Sequence, residues 1–191
     1  MKIRLASELQ SDSIVDGEGI RTVIWTQGCP HHCKGCHNPG TFSFAGGFEV
    51  DTKEIIEQIS KLELQDGITF SGGDPFVQPK ACAEIAEAAK NMGYTTWSFT
   101  GYTFEELLEN SKENPDIMEF LKNLDVLIDG RFELEEKSLD IYYRGSRNQR
   151  IIDVPKSLKE NKVVLIEKYM IDKPIKTFKY KNNYQANGVF V

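Results

Sequence analysis

Residues 67–101 read GITFSGGDPFVQPKACAEIAEAAKNMGYTTWSFTG, and the architecture follows from them. Gly67–Ser71 is a short apolar run stopped by Gly72-Gly73, the pattern of a buried strand meeting a turn. Pro79 suits a first helical position, and Ala81, Cys82, Ile85, Ala86 and Ala89 then recur at helical spacing until Gly93. Thr95–Thr100 (TTWSFT) returns to β-branched and aromatic residues and closes at Gly101. Strand, helix and strand in this order form a crossover unit, and crossovers join parallel strands.

The same alternation extends on both sides. Arg21–Thr26 (RTVIWT) reads as a strand ending near Gly28. Asp51–Leu64 is predicted to be a helix: Asp51 and Glu54 have capping-box spacing, and Ile55, Ile59 and Leu62 share a face. Thr103 and Glu106 cap a short helix, a further helix follows Pro115, and Leu124–Ile128 is a buried strand ending at Asp129-Gly130. The expected fold class is α/β, an open and incomplete parallel βα barrel. A closed eightfold barrel takes about 250 residues, and this chain has 191. The rhythm stops near residue 155. Residues 1–155 are therefore expected to form the core domain and 156–191 a C-terminal extension on or beside it. Within that extension Val163–Ile166 is predicted to add an edge strand, and Lys173–Val191 is polar, Asn-rich and peripheral.

With 23 Lys and Arg against 29 Asp and Glu, the net charge is −6, which disfavours nonspecific nucleic-acid binding through phosphates. The N-terminal MKIRLASELQ has no apolar run of signal-peptide type, and no stretch approaches a membrane span, so a cytoplasmic, reducing location is expected. The chain has four cysteines, three of them between positions 29 and 36. That is too few for a disulfide scaffold and too clustered for scattered core thiols, so it points to metal or redox chemistry. Ligands of parallel α/β sheets gather at the carboxyl ends of strands. The cysteine cluster follows one strand end. Ser71-Gly72-Gly73-Asp74, Thr100-Gly101-Tyr102 and Asp129-Gly130-Arg131 end the next three, so all four face one mouth.

Cys29, Cys33 and Cys36 form Cys-x3-Cys-x2-Cys. Three thiolates on one loop reach three corners of a cubane and leave its fourth iron open, whereas iron–sulfur clusters are usually held by four. The competing possibility is a Cys3His zinc site using His31, His32 or His37, although zinc motifs more often pair two short spacings and no second pair exists here. Cys82 lies on the apolar face of an alanine-rich helix and reads as a core thiol.

This cysteine motif directly after a first strand, followed by SGGDP after the next, resembles the radical S-adenosylmethionine superfamily. Within it, Val15–Thr22 (VDGEGIRT), Cys36–Pro39 (CHNP), Ser71–Pro75 (SGGDP), Leu127–Gly130 (LIDG) and Arg144–Asp153 (RGSRNQRIID) resemble, in this order, the activating proteins of anaerobic (class III) ribonucleotide reductase. The resemblance covers about residues 14–154.

The resemblance implies an open barrel of the radical S-adenosylmethionine type. It implies a 4Fe–4S cluster on Cys29, Cys33 and Cys36, whose open iron is chelated by S-adenosyl-L-methionine. Gly35, Cys36 and His37 would offer backbone to the adenine side. Ser71, Gly72, Gly73 and Asp74 would surround the methionyl part. Thr100, like Ser98, would touch a ribose or cap a helix. Asp129 would meet a ribose or the substrate loop, and Arg131 the cofactor carboxylate or the substrate. No catalytic side chain is expected beyond cluster and cofactor. Two departures stand out: Gly35 occupies a position where the superfamily carries an aromatic residue, and Asp74 one where many relatives carry Glu.

The implied activity is reductive cleavage of S-adenosylmethionine to a 5′-deoxyadenosyl radical and formation of a glycyl radical. The implied partners are the large subunit of anaerobic ribonucleotide reductase and a low-potential electron donor such as a flavodoxin, with no direct nucleic-acid or membrane contact. Arg144, Arg147 and Arg150 are expected at the mouth or in docking the reductase rather than on a solvated face. Asp16-Gly17-Glu18-Gly19 is expected to pass near the cluster or the incoming loop. Competing readings are another small enzyme of the superfamily (a deazapurine synthase, or the activase of a different glycyl-radical enzyme) and a zinc-binding structural domain.

Overall fold

A computed structural model describes residues 1–173. The elements are β1 (Lys2–Leu5), β2 (Gln10–Ser13), β3 (Arg21–Thr26), β4 (Phe48–Asp51), α1 (Thr52–Ile59), β5 (Gly67–Gly72), α2 (Pro79–Asn91) and β6 (Thr95–Phe99). They continue with α3 (Phe104–Asn110), α4 (Pro115–Lys122), β7 (Val126–Asp129), β8 (Arg150–Asp153), α5 (Val154–Glu160) and α6 (Glu167–Met170). One sheet runs β4-β1-β3-β5-β6-β7-β8, with β2 also paired to β3. Its centre, β3-β5-β6-β7, is parallel. The flanking β1, β2, β4 and β8 are antiparallel to their neighbours.

Side chains alternate across each strand and so divide the core in two. Leu127 and Ile152 face the helices, in one cluster with Ile24, Phe70, Ile85, Ala86, Phe120 and Leu121. Val126, Ile128 and Ile151 face the other way and pack with Trp97 and Tyr169. Burying each such large apolar side chain contributes about 1.5–3 kcal/mol, so the helical face alone anchors the sheet. The α3 capping box forms reciprocally between Thr103 and Glu106, and Asn114 caps α4 ahead of Pro115.

Two expectations need correction, and one strand was not foreseen. The helix expected over Asp51–Leu64 is shorter, because Asp51 ends β4 and caps α1 through Lys53 N alone, and the chain leaves the helix at Ser60. The apolar alternation of Met1–Leu5 forms β1, which pairs with β3 and β4. Val163–Ile166 is not a strand: Leu165 makes a single bridge to Ile152 before the chain turns into α6. Residues beyond Lys173, expected to be peripheral, lie outside the described region. No helix among the described residues is long and apolar enough to cross a membrane.

Candidate active site

A cavity of about 380 Å³ opens at the carboxyl ends of the parallel strands, and Cys29, Cys33 and Cys36 all line it. The chain leaves β3 through Gly28, whose φ of +98° a side chain would resist, and enters the cysteine loop. Gly28 N and Cys29 N donate to the Thr41 and Phe42 carbonyls, and Cys36 N donates back to Cys33 O, so the loop folds over on itself. All three thiols are half-buried. Burial pushes the Cys29 thiol pKa up, opposed by a backbone hydrogen bond from His31. Cys82 is fully buried in α2, away from the cavity, and burial raises its pKa strongly.

Facing the cysteine loop is the end of β5. Gly72 has φ +100°, and a Cβ there would stand 2.5 Å from the Thr26 carbonyl oxygen. Gly73 N donates to Thr26 O at 2.7 Å and Asp74 N to Gly28 O at 2.8 Å, which presses the two strand ends together. Ser71, Gly72 and Gly73 line the cavity, where the absence of side chains leaves backbone open to a ligand.

Asp74 is 1% exposed. Its carboxylate accepts from Phe76 N at 3.0 Å, Thr100 Oγ1 at 2.9 Å and Gly101 N at 2.9 Å. His31 Nε2 lies 2.7 Å from Asp74 Oδ2, and the imidazole meets the Tyr102 ring edge-on at 4.5 Å. The Tyr102 phenol pKa is raised, by burial first and by the Asp74 charge second.

The other candidate residues separate into two groups. His37 and Thr100 line the cavity; Gly35, Asp129 and Arg131 do not. Gly35 (φ +75°) packs where a Cβ would come within 2.9 Å of Leu134 Cδ1, so the turn requires glycine. The Asp129 carboxylate is 1% exposed and fully engaged: Arg150 Nε donates to it at 2.9 Å and Phe104 N at 2.7 Å. Arg150 also pairs with Glu105, and these bonds hold its pKa above the ordinary value. Arg131 is exposed, with its carbonyl accepting from Asn148 Nδ2. Ser98 is buried and donates to the Phe99 carbonyl.

The arginine-rich segment is bound within the chain. Ser146 Oγ accepts from Glu133 N, and Gln149 Nε2 donates to Gly130 O while its Oε1 accepts from Gly145 N. Gly-Ser-x-Asn-Gln therefore pins the loop that follows β7. Arg147 pairs with Asp172, and only Arg144, 7% exposed and bonded to the Gln149 and Tyr169 carbonyls, reaches the cavity wall.

The Asp16–Gly19 glycines serve the opposite end of the strands. A Cβ on Gly17 would strike Arg21 Cδ at 2.6 Å, and one on Gly19 would strike Asp66. Arg21 is fully buried, bonded to Thr69, Thr95 and the Ile68 carbonyl, and burial lowers its pKa to about 10. Of this segment Asp16 alone lines the cavity.

Sequence reading missed the aromatic wall. Trp25, Phe99, Phe132 and Tyr143 line the cavity, and the Phe132 ring packs at a tilt against His37, centre to centre 5.0 Å. Phe132 sits just past the Asp129-Gly130-Arg131 strand end, the one signal that points to it.

The donor set fits an iron–sulfur cluster: three thiols around one cavity, beside a strand end stripped of side chains. Fold and site define an iron–sulfur protein, and residues 15–152 match the family described as 4Fe-4S single cluster domain. The chain is 34% identical over 147 residues to the anaerobic ribonucleoside-triphosphate reductase-activating protein of Pasteurella multocida (strain Pm70), covering 72% of this chain and 90% of that one. It is 37% identical to the protein of the same name from Enterobacteria phage T4, over 72% of this chain and 86% of the other. It is also 36% identical to the pyruvate formate-lyase-activating enzyme of Clostridium pasteurianum, over 54% of this chain and 47% of that one. The chain belongs to the family of anaerobic ribonucleoside-triphosphate reductase-activating proteins, and it is an activating enzyme.

Proposed function

We propose that this activating enzyme cleaves S-adenosylmethionine at a 4Fe–4S cluster and installs a glycyl radical on the large subunit of anaerobic ribonucleotide reductase. In this reading the sheet is an open βα barrel of the radical S-adenosylmethionine type. Residues 1–155 form its core domain and 156–191 an extension. The observation that carries it is the shared cavity, where the thiols of one loop and the bare Gly72-Gly73 strand end border the same space.

Cys29, Cys33 and Cys36 would hold the cluster. Gly72 and Gly73 would offer backbone to the methionyl part of the cofactor. Cys36 and His37 would border the adenine, and Phe132 would provide the ring that Gly35 cannot. When bound, the two groups supply reductive cleavage of the sulfonium to methionine and a 5′-deoxyadenosyl radical, which takes a Cα hydrogen from a glycine of the partner. The aromatic wall of Trp25, Phe99 and Tyr143 excludes water and orients the cofactor. A low-potential donor such as a flavodoxin provides the electron, in the cytoplasm.

The decisive experiment mixes reconstituted protein anaerobically with the reductase, S-adenosylmethionine and a strong reductant. A glycyl-radical EPR doublet on the reductase is expected. Cofactor cleavage without that signal would assign the enzyme to a different partner, and a colourless protein carrying stoichiometric zinc would sink the reading altogether.

A further inference from the structure

His31 lies between two of the three thiols in sequence, yet its side chain is 4% exposed and ends on Asp74 of the facing strand end. Among the described residues, no backbone hydrogen bond leaves residues 30–35 for another part of the fold. The His31 imidazole makes the only side-chain hydrogen bond that does so. The loop also carries a left-handed backbone at His32 (φ 49°), a conformation non-glycine residues adopt only when their surroundings enforce it. The socket around His31 is built for it. Tyr102 supports the ring, and Gly101 gives it room, since a Cβ there would stand 2.3 Å from His31 Cδ2.

Asp74 is equally committed. A carboxylate offers about four lone-pair positions, and Asp74 meets Phe76 N, Thr100 Oγ1, Gly101 N and His31 Nε2. Its acceptor capacity is thus used within the protein.

Resting on the proposed function, we infer that His31 and Asp74 are a positioning pair. The pair fixes the cysteine loop to the cofactor cradle, and Asp74 is not itself a ligand of the cofactor's ammonium group.

The test begins with cluster-free protein and limited trypsin, read by mass spectrometry at Lys34, whose side chain is 82% exposed. Losing a buried charge-assisted hydrogen bond should make H31A open, and be cut there, about ten-fold faster. H31Q, whose Nε2 can reach the same carboxylate, should be cut at the wild-type rate. D74A, which also frees Phe76 N, Thr100 and Gly101, should be cut at least as fast as H31A, and the double variant should be no faster than D74A. In reconstituted protein, H31A and D74A should both raise the S-adenosylmethionine concentration that perturbs the reduced-cluster EPR spectrum, and H31Q should restore it. Wild-type cleavage in H31A overturns the proposal. So does a cofactor response lost in D74A but kept in H31A, which would make Asp74 a direct ligand. If the wild type itself takes up no reducible cluster, the functional reading fails, and the protease comparison still decides the positioning role.

Discussion

Gly73 rests directly on Gly28: a Cβ added to Gly73 would stand 2.3 Å from the Gly28 carbonyl oxygen. The obstruction is backbone, which cannot swing aside, and Asp74 N bonds the same carbonyl. Gly73→Ala should therefore lower stability by about 1–3 kcal/mol, the cost of added atoms that force a backbone shift. Urea unfolding of the cluster-free protein measures this. An unchanged midpoint would mean that the strand ends are less tightly apposed than described.

Iron content separates the four cysteines. Cys29→Ala, Cys33→Ala and Cys36→Ala should each lose most of the iron and the visible absorbance after anaerobic reconstitution. Cys82→Ala should keep both, at a stability cost of about 1 kcal/mol for a small core deletion. Iron lost only from the Cys82 variant would reverse the assignment.

Arg21 donates to Thr69, Thr95 and the Ile68 carbonyl in a fully buried site. Its guanidinium also lies 5.1 Å from the centre of the Trp97 ring. Arg21→Ala strands several buried acceptors and should cost about 3 kcal/mol or more. Arg21→Lys, which cannot fork, should fall between. Denaturant midpoints of the two variants check the order.

Stability should also fall in acid through Glu105, whose carboxyl is held below its ordinary 4.5 mainly by the Arg150 hydrogen bond. A carboxyl depressed in the folded state stabilises above its unfolded pKa, and that contribution disappears as pH drops through the folded value. Glu105→Gln should melt slightly lower than wild type at neutral pH, and the gap should close as pH falls below about 4.5. A gap that widens in acid would show the opposite sign. The effect is small because Glu105 is largely exposed.

The parallel centre of the sheet was readable because each of its strands ends in glycine or a polar turn and alternates with a patterned helix. The antiparallel flanks were not. Lys2–Leu5 and Gln10–Ser13 are four-residue strands, too short to stand out, and they pair with β4 and with β3 respectively, partners distant from them or irregular in register. At the site, the spacing already placed the three cysteines and Gly72-Gly73 at strand ends that border one cavity. The roles of Asp129 and Asp74 could not, since a carboxylate at a strand end looks the same whether it meets a ligand or, as Asp129 does, an arginine from the strand paired beside it. Arg150 is distant in sequence, and nothing local announces the pair. Phe132 went unread for a related reason: it enters the cavity only because Ser146, Asn148 and Gln149 hold its loop.

Tyr169 closes the inner face of the sheet against Trp97 and Val126, while Lys168 reaches Glu18 and Asp172 holds Arg147. The packed body therefore extends past Ile152, where the family match stops. Two definitions of the unit diverge here: the stretch that relatives share, and the stretch that can keep water out of this protein's interior. A chain cut at the first boundary would leave Trp97 without its Tyr169 cover and take from Arg144 one of its carbonyl acceptors, that of Tyr169. The shortest self-sufficient version of this sequence should therefore run to Asp172.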